Sequence, residues 1–183
     1  TVWKIRERLK IAGKEHAIWH ELQRQLNAKG YEVKRGVIQD ASFVHADLGR
    51  KRYQKEKQAE KEGKTVKYTD NQLSHIDKDG TFAVKNEQVH YGYKQHTKSC
   101  VDYGLIRDYA ATTASVHDGQ INLIKSKDKA AYRDKGYFGT TIPRGVKDMT
   151  MDRATRGHPL TQAQKERNKH ISKTRSQGER PYS

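Results

Sequence analysis

An α/β fold, a mixed sheet flanked by helices, is what this sequence predicts, and three observations predict it. Apolar residues recur at helical spacing through residues 3–29. From Gly36 the period changes, and Val37, Ile38, Ala41, Phe43 and Val44 form an almost continuous apolar run, as in a central strand covered on both faces. Strand-like runs then follow over 81–100, 105–114 and 130–133, bounded by turn residues.

The elements read in order as follows. Trp3, Ile5 and Leu9 share one helical stripe, Ala17, Ile18, Leu22 and Leu26 a second, and Gly30 caps the end. Residues 1–35 thus read as a helical lead-in, and 36–183 as one domain. Within that domain residues 49–72 stand apart. GRKRYQKEKQAEKEGKTVKYT has few core formers and many cations, the composition of a solvated or helical insertion that touches DNA backbone if anything. TFAVKNEQVHYGYKQHTKSC reads as a hairpin turning at Lys85–Gln88. Its second strand sets Val89, Tyr91, Tyr93 and Gln95 on a packing face, with His90, Gly92, Lys94, His96 and Lys98 on a positive one. Leu105–Ala114 supplies a third strand, and Asp118 starts a short helix holding Ile121, Leu123 and Ile124. Ala130–Arg133 is a fourth strand that ends at Asp134. Residues 145–157 read as loop, after which Pro159 and the Thr161/Gln164 capping box open a last helix. There is no internal repeat.

Composition narrows the function classes. With 37 Lys+Arg against 22 Asp+Glu, the net charge is +15, the footprint of a protein that binds phosphate polyanions. Charge selects the partner and leaves the reaction open. Hydrophobic residues make up only 33%, so the core is thin. The lone Cys100 excludes an intrachain disulfide and suits a reducing, cytoplasmic setting. No apolar run is long enough for a membrane span. The nine His lack zinc-ligand spacing. No phosphate-binding glycine loop is present, so no nucleotide cofactor is expected. Asp77 and Asp79 in HIDKDGT read as a turn. Thr1 and Ser183 both look like cut ends of something longer.

Three acids carry the chemistry: Asp40 in VIQDASFV, Asp134 in YRDKGYFG and Glu179 in TRSQGERPYS. A carboxylate inside an apolar strand is costly unless a cation or hydrogen bonds compensate it. Each acid also has a plain reading: a strand-end turn for Asp40, an Asp-led turn for Asp134, and a surface ion pair with Arg175 for Glu179. The order strand, hairpin, third strand, helix, fourth strand favours the chemical one. In a ribonuclease-H-like (RNase H-like) sheet, three antiparallel strands continue into parallel ones, and that order sets the first and fourth strands side by side and parallel. Acids on both could then share divalent ions.

QDASFV, HYGYK, ATTASVHDG, DKGYFG, RSQGERPY and the opening WKIRERL, in this order and spacing, resemble the catalytic domain of insertion-sequence DDE transposases, in the branch of insertion sequences four and five. The resemblance implies that Asp40, Asp134 and Glu179 are the catalytic, metal-binding triad. Asp40 would bridge two Mg²⁺ ions (Mn²⁺ substituting), and the other two acids would complete one each. Arg175 matches the arginine of the family's tyrosine–arginine–glutamate–lysine signature. The signature tyrosine position is Ser172, and the lysine position lies past Ser183. Lys94, Lys135, Tyr137 and Arg175 are the candidate DNA contacts. Asp118 matches a recurrent family aspartate, though as a residue it reads as a helix cap. The implied activity is phosphodiester cleavage and strand transfer at an element's terminal inverted repeats, by a homodimer on double-stranded DNA. A transposase-derived protein that grips DNA without cutting it, or another RNase H-like nuclease, remains open at this point.

Overall fold

The computed structural model describes residues 2–47, 49–74 and 76–176, without the side chains of residues 50–53 and 72. Helices α1 (Val2–Ile11) and α2 (Glu15–Ala28) lead in, as their apolar periodicity predicts. The end of α2 is sealed by backbone bonds from Gly30 N to Asn27 O and from Tyr31 N to Leu26 O, with Gly30 at φ 83°. That paired pattern needs a left-handed residue, which glycine adopts without a side-chain clash.

Six strands form one mixed sheet: β1 (Val37–His45), β2 (Thr81–Lys85), β3 (Gln88–Cys100), β4 (Ile106–Thr113), β5 (Ala130–Arg133) and β6 (Lys147–Thr150). Strand β1 runs antiparallel to β3, from Val37↔Cys100 to His45↔Gly92. Because β4 pairs the same stretch of β3, it lies on the opposite edge from β1. On its other side β1 runs parallel to β5, which runs parallel to β6. The order β4-β3-β1-β5-β6 is that of an RNase H-like sheet, with β2 added along the start of β3. The β2–β3 connection is a two-residue turn in which Asn86 and Glu87 both have positive φ, 51° and 65°. This type I′ geometry matches the strand twist. At Gly92, with φ 134°, a Cβ would lie 2.3 Å from Val44 O, so β1 and β3 approach too closely there for any other residue.

The basic insertion folds as α3 (Arg50–Lys61) and α4 (Asp70–Ser74) between β1 and β2. Helix α5 (Gln162–Arg175) opens with the predicted capping box on Thr161 and Gln164. It packs one face of the sheet, where Ile171, 0% exposed, meets Ala130 and Met149. Burying that one side chain stabilises the contact by about 2 kcal/mol.

The opposite face is covered differently. Val37 and Ala131 meet Ile124 and Val146 in a small apolar cluster, but much of the cover is an extended strap, residues 116–128, held by polar groups. Gln39, fully buried, donates from Nε2 to Ile121 O (2.6 Å) and accepts from Leu123 N (3.3 Å). Lys94 Nζ donates to Asp118 Oδ1 and Val116 O, both at 2.8 Å. Lys98 Nζ donates to Asp128 Oδ2 at 3.2 Å, with both side chains almost wholly buried.

Four expectations need correction. The helix predicted from Asp118 is a single 3₁₀ turn, Asp118–Gln120; Ile121, Leu123 and Ile124 lie in the extended strap because Gln39 takes up the Ile121 carbonyl and the Leu123 amide, and Asn122 the Ile124 amide. Residues 145–157 contain β6, an edge strand with only Met149 and Thr150 buried. The face of β3 predicted to be positive, in contrast to a packing face, is itself packed over toward its end, with His96 and Lys98 at 0% and 2% exposure. Val89, assigned to packing, is exposed. Arg133 is also buried. Its Nε donates to Thr150 Oγ1 (2.9 Å) and its guanidinium lies 5.6 Å from the Tyr137 ring, which explains a polar residue inside a central strand. Among the described residues no helix is long and apolar enough to cross a membrane.

Candidate active site

Parallel pairing of β1 with β5 fixes the site. The last pair in register is Gln39↔Arg133, so Asp40 and Asp134 are the next residues of two adjacent strands. Asp40 continues β1, while Asp134 leaves β5 and caps a 3₁₀ turn over Lys135–Tyr137, accepting from Gly136 N at 2.8 Å. Asp40 Oδ1 accepts from Ala41 N (2.9 Å), and Asp40 Oδ2 accepts from Arg175 Nη2 (2.8 Å). Burial pushes the Asp40 carboxyl above the usual carboxylate range; Arg175 and the Ala41 amide pull it back, and the charge of Asp134 pushes it further up. The fold has therefore brought two carboxylates close enough to repel and has given one of them a cation.

Beside the acids lies a cleft of about 490 Å³, lined among others by Ser42, Phe43, Lys85, Asp118, Lys135 and Arg153. Lys135 is exposed on its wall. Lys94 lines the cleft too, but its ammonium is held inward by Asp118 and its side chain is only 12% exposed. Tyr137 is a correction. It is 1% exposed, with its ring buried 5.6 Å from the Arg133 guanidinium instead of facing outward. Burial first, then the charges of Asp118 and Asp40, push its hydroxyl well above the usual tyrosine range. Arg175 points at Asp40, with its Nε buried and without a hydrogen-bond partner among the described residues. Glu179 lies outside the described residues.

Asp118 is the residue that sequence reasoning misassigned. The cap of its turn is His117, whose Nδ1 accepts from Gly119 N at 3.1 Å, leaving the Asp118 carboxylate free to meet Lys94 in the cleft. The available signal was the alternation on β3, which sets Lys94 facing whatever covers that side of the sheet.

A divalent cation is compatible with this donor set. Two carboxylates side by side, one of them desolvated, are hard oxygen ligands of the kind Mg²⁺ and Mn²⁺ take, and a cation would relieve their repulsion. Among the described residues no group of three acidic, histidine or cysteine side chains converges, so the pair alone is on view.

The chain is 30% identical, over 163 residues, to a transposase for insertion sequence element IS1106 from Neisseria meningitidis serogroup B. That alignment covers 84% of this chain and 55% of the relative, so the chain spans about half the length of the curated relative it matches. No solved structure matches. The match to the family described as Transposase DDE domain extends over residues 31–183, taking in the whole sheet and both acids, and the chain belongs to that family.

Proposed function

We propose that residues 36–183 form the catalytic domain of an insertion-sequence transposase, cutting and rejoining DNA at the ends of its element with divalent metal, and that residues 1–35 are a lead-in to it. The observation that carries this reading is the adjacency of Asp40 and Asp134 at the ends of parallel β1 and β5. Asp40, Asp134 and Glu179 would hold the metal, two Mg²⁺ with Asp40 shared. Glu179 enters through the family resemblance, and what supports it among the described residues is that Arg175, at the end of α5, meets Asp40. Bound Mg²⁺ would supply a polarised phosphoryl oxygen and an activated attacking oxygen.

The remaining steps fall to the chain's own side chains. Lys135 and Lys85, exposed on the cleft wall, would seat the phosphates flanking the scissile bond and fix its register. Lys94, pinned to Asp118, would keep a positive charge near the acids without binding DNA tightly. Terminal inverted repeats are the substrate this reading implies, with a homodimer bringing two ends together.

The test is Asp134→Asn in a Mg²⁺-dependent cleavage assay on duplexes carrying the element's ends. Cleavage should be lost while duplex affinity stays equal or rises, since an anion has left the cleft. Retained cleavage rejects the assignment. A second reading, DNA binding without cutting, is favoured by one observation: Asp40 is engaged by Arg175. Absence of Mn²⁺ binding at the acids would support it.

A further inference from the structure

In this structure Arg175 does not reach outward toward a phosphate. Its Nη2 lies 2.8 Å from Asp40 Oδ2, its Nη1 lies 3.7 Å from Met151 Sδ, and its Nε is buried without a hydrogen-bond partner among the described residues. The side chain is 18% exposed, so this is not a loose surface pair. A guanidinium that meets one carboxylate oxygen at 2.8 Å from a side chain only 18% exposed is held by charge at that oxygen.

The same carboxylate is the one that matters for the proposed metal. Asp40 Oδ1 already accepts from the Ala41 amide, and Arg175 takes Oδ2, so both oxygens are engaged and a cation would meet Arg175 at this carboxylate. A guanidinium and a divalent cation cannot both sit on this carboxylate at full strength, because both are positive and the charge of one weakens the hold of the other.

We propose that Arg175 is a positioning residue that serves as an internal counter-ion: it closes Asp40 in the metal-free protein, and metal loading releases it toward DNA. This rests on the metal-dependent reading of the acids given above. Its consequence is an order of events. While Arg175 stays on Asp40, the acid pair is partly neutralised and α5 is tied to β1; once displaced, the guanidinium becomes a cation at the cleft, free to take a phosphate. A metal-bound site would therefore gain a DNA contact that the metal-free protein lacks.

The experiment titrates Mn²⁺ into the full chain, free of DNA, and follows binding by electron paramagnetic resonance, comparing wild type with Arg175→Gln. Removing the competitor should tighten Mn²⁺ binding about tenfold, the factor expected for one charge-assisted hydrogen bond no longer broken on loading. Mn²⁺ should also raise the melting temperature of Arg175→Gln more than that of wild type. In wild type, Mn²⁺ should strengthen duplex binding more than in Arg175→Gln. Equal Mn²⁺ affinities in the two chains overturn the counter-ion role and leave the metal site standing. Binding by neither chain overturns both, and weaker binding by a folded Arg175→Gln makes Arg175 a support for the site instead of its competitor. Should Arg175→Gln fail to fold, Arg175→Lys, a shorter cation without the planar fork, replaces it and should also bind Mn²⁺ more tightly than wild type; unchanged affinity there overturns the proposal.

Discussion

Replacing Asp128 by alanine tests how the strap is held. Lys98 and Asp128 are 3% and 4% exposed at their side chains, so Asp128→Ala strands a buried ammonium. Breaking a buried pair from one side costs about 3–5 kcal/mol. Asp108 offsets part of this, but it is 3.9 Å from Lys98 Nζ and already bound to Lys125 at 2.6 Å, so its help is modest. The change also removes the acceptor of Lys125 N, worth about 1 kcal/mol. The net loss is about 4 kcal/mol, or about 12 °C in melting temperature for a chain of this length. Urea unfolding followed by the fluorescence of Trp19, which packs on Tyr109, reads it directly. The pH dependence gives a second check. Burial lowers the Lys98 pKa below its ordinary 10.5. Between the folded and unfolded values the unfolded chain binds more protons, so stability climbs as pH rises through that alkaline window. With Asp128 gone the folded value falls further, and the climb should begin at lower pH. The double change Lys98→Met, Asp128→Leu should return to within about 1 kcal/mol of wild type. A loss in Asp128→Ala below about 1 kcal/mol, or one with no alkaline recovery, refutes the reasoning.

Three further outcomes are expected. Gly92→Ala should cost about 3 kcal/mol or more and sharply reduce soluble yield, because its Cβ would strike Val44 O at 2.3 Å in a left-handed backbone; a normal melting curve would show that β1 and β3 are not so close. Glu87→Gly should raise stability by about 1 kcal/mol by relieving the 65° φ of the hairpin turn, as read by chemical denaturation. Asp118→Asn should leave the fold standing and strengthen duplex binding, measured by fluorescence anisotropy, because Lys94 is freed to face the cleft; unchanged affinity would mean that Lys94 stays bound to Val116 O alone.

What the sequence disclosed, it disclosed through residues placed against their surroundings. Asp40 stood out because it interrupts an apolar run, and Asp134 because a glycine follows two positions later; the parallel pairing of their strands bears out the order of elements from which it was argued. Strand β6 was not legible, since Lys-Asp-Met-Thr has neither alternation nor a β-branched run and becomes a strand only by pairing with β5. The strap misled for the opposite reason: its apolar residues mimic a helix, and only the distant Gln39 decides that its backbone runs extended. Tyr137 failed likewise, because DKGY looks like an exposed turn until the buried Arg133 offers its ring a partner. In each case a long-range polar partner overrode a local pattern.

The ladder between β1 and β5 is three residue pairs long, and it joins segments drawn from opposite halves of the polypeptide. A half-translated chain emerging from the ribosome carries Asp40 without Asp134 beside it, so chemistry that needs both carboxylates waits on late tertiary closure.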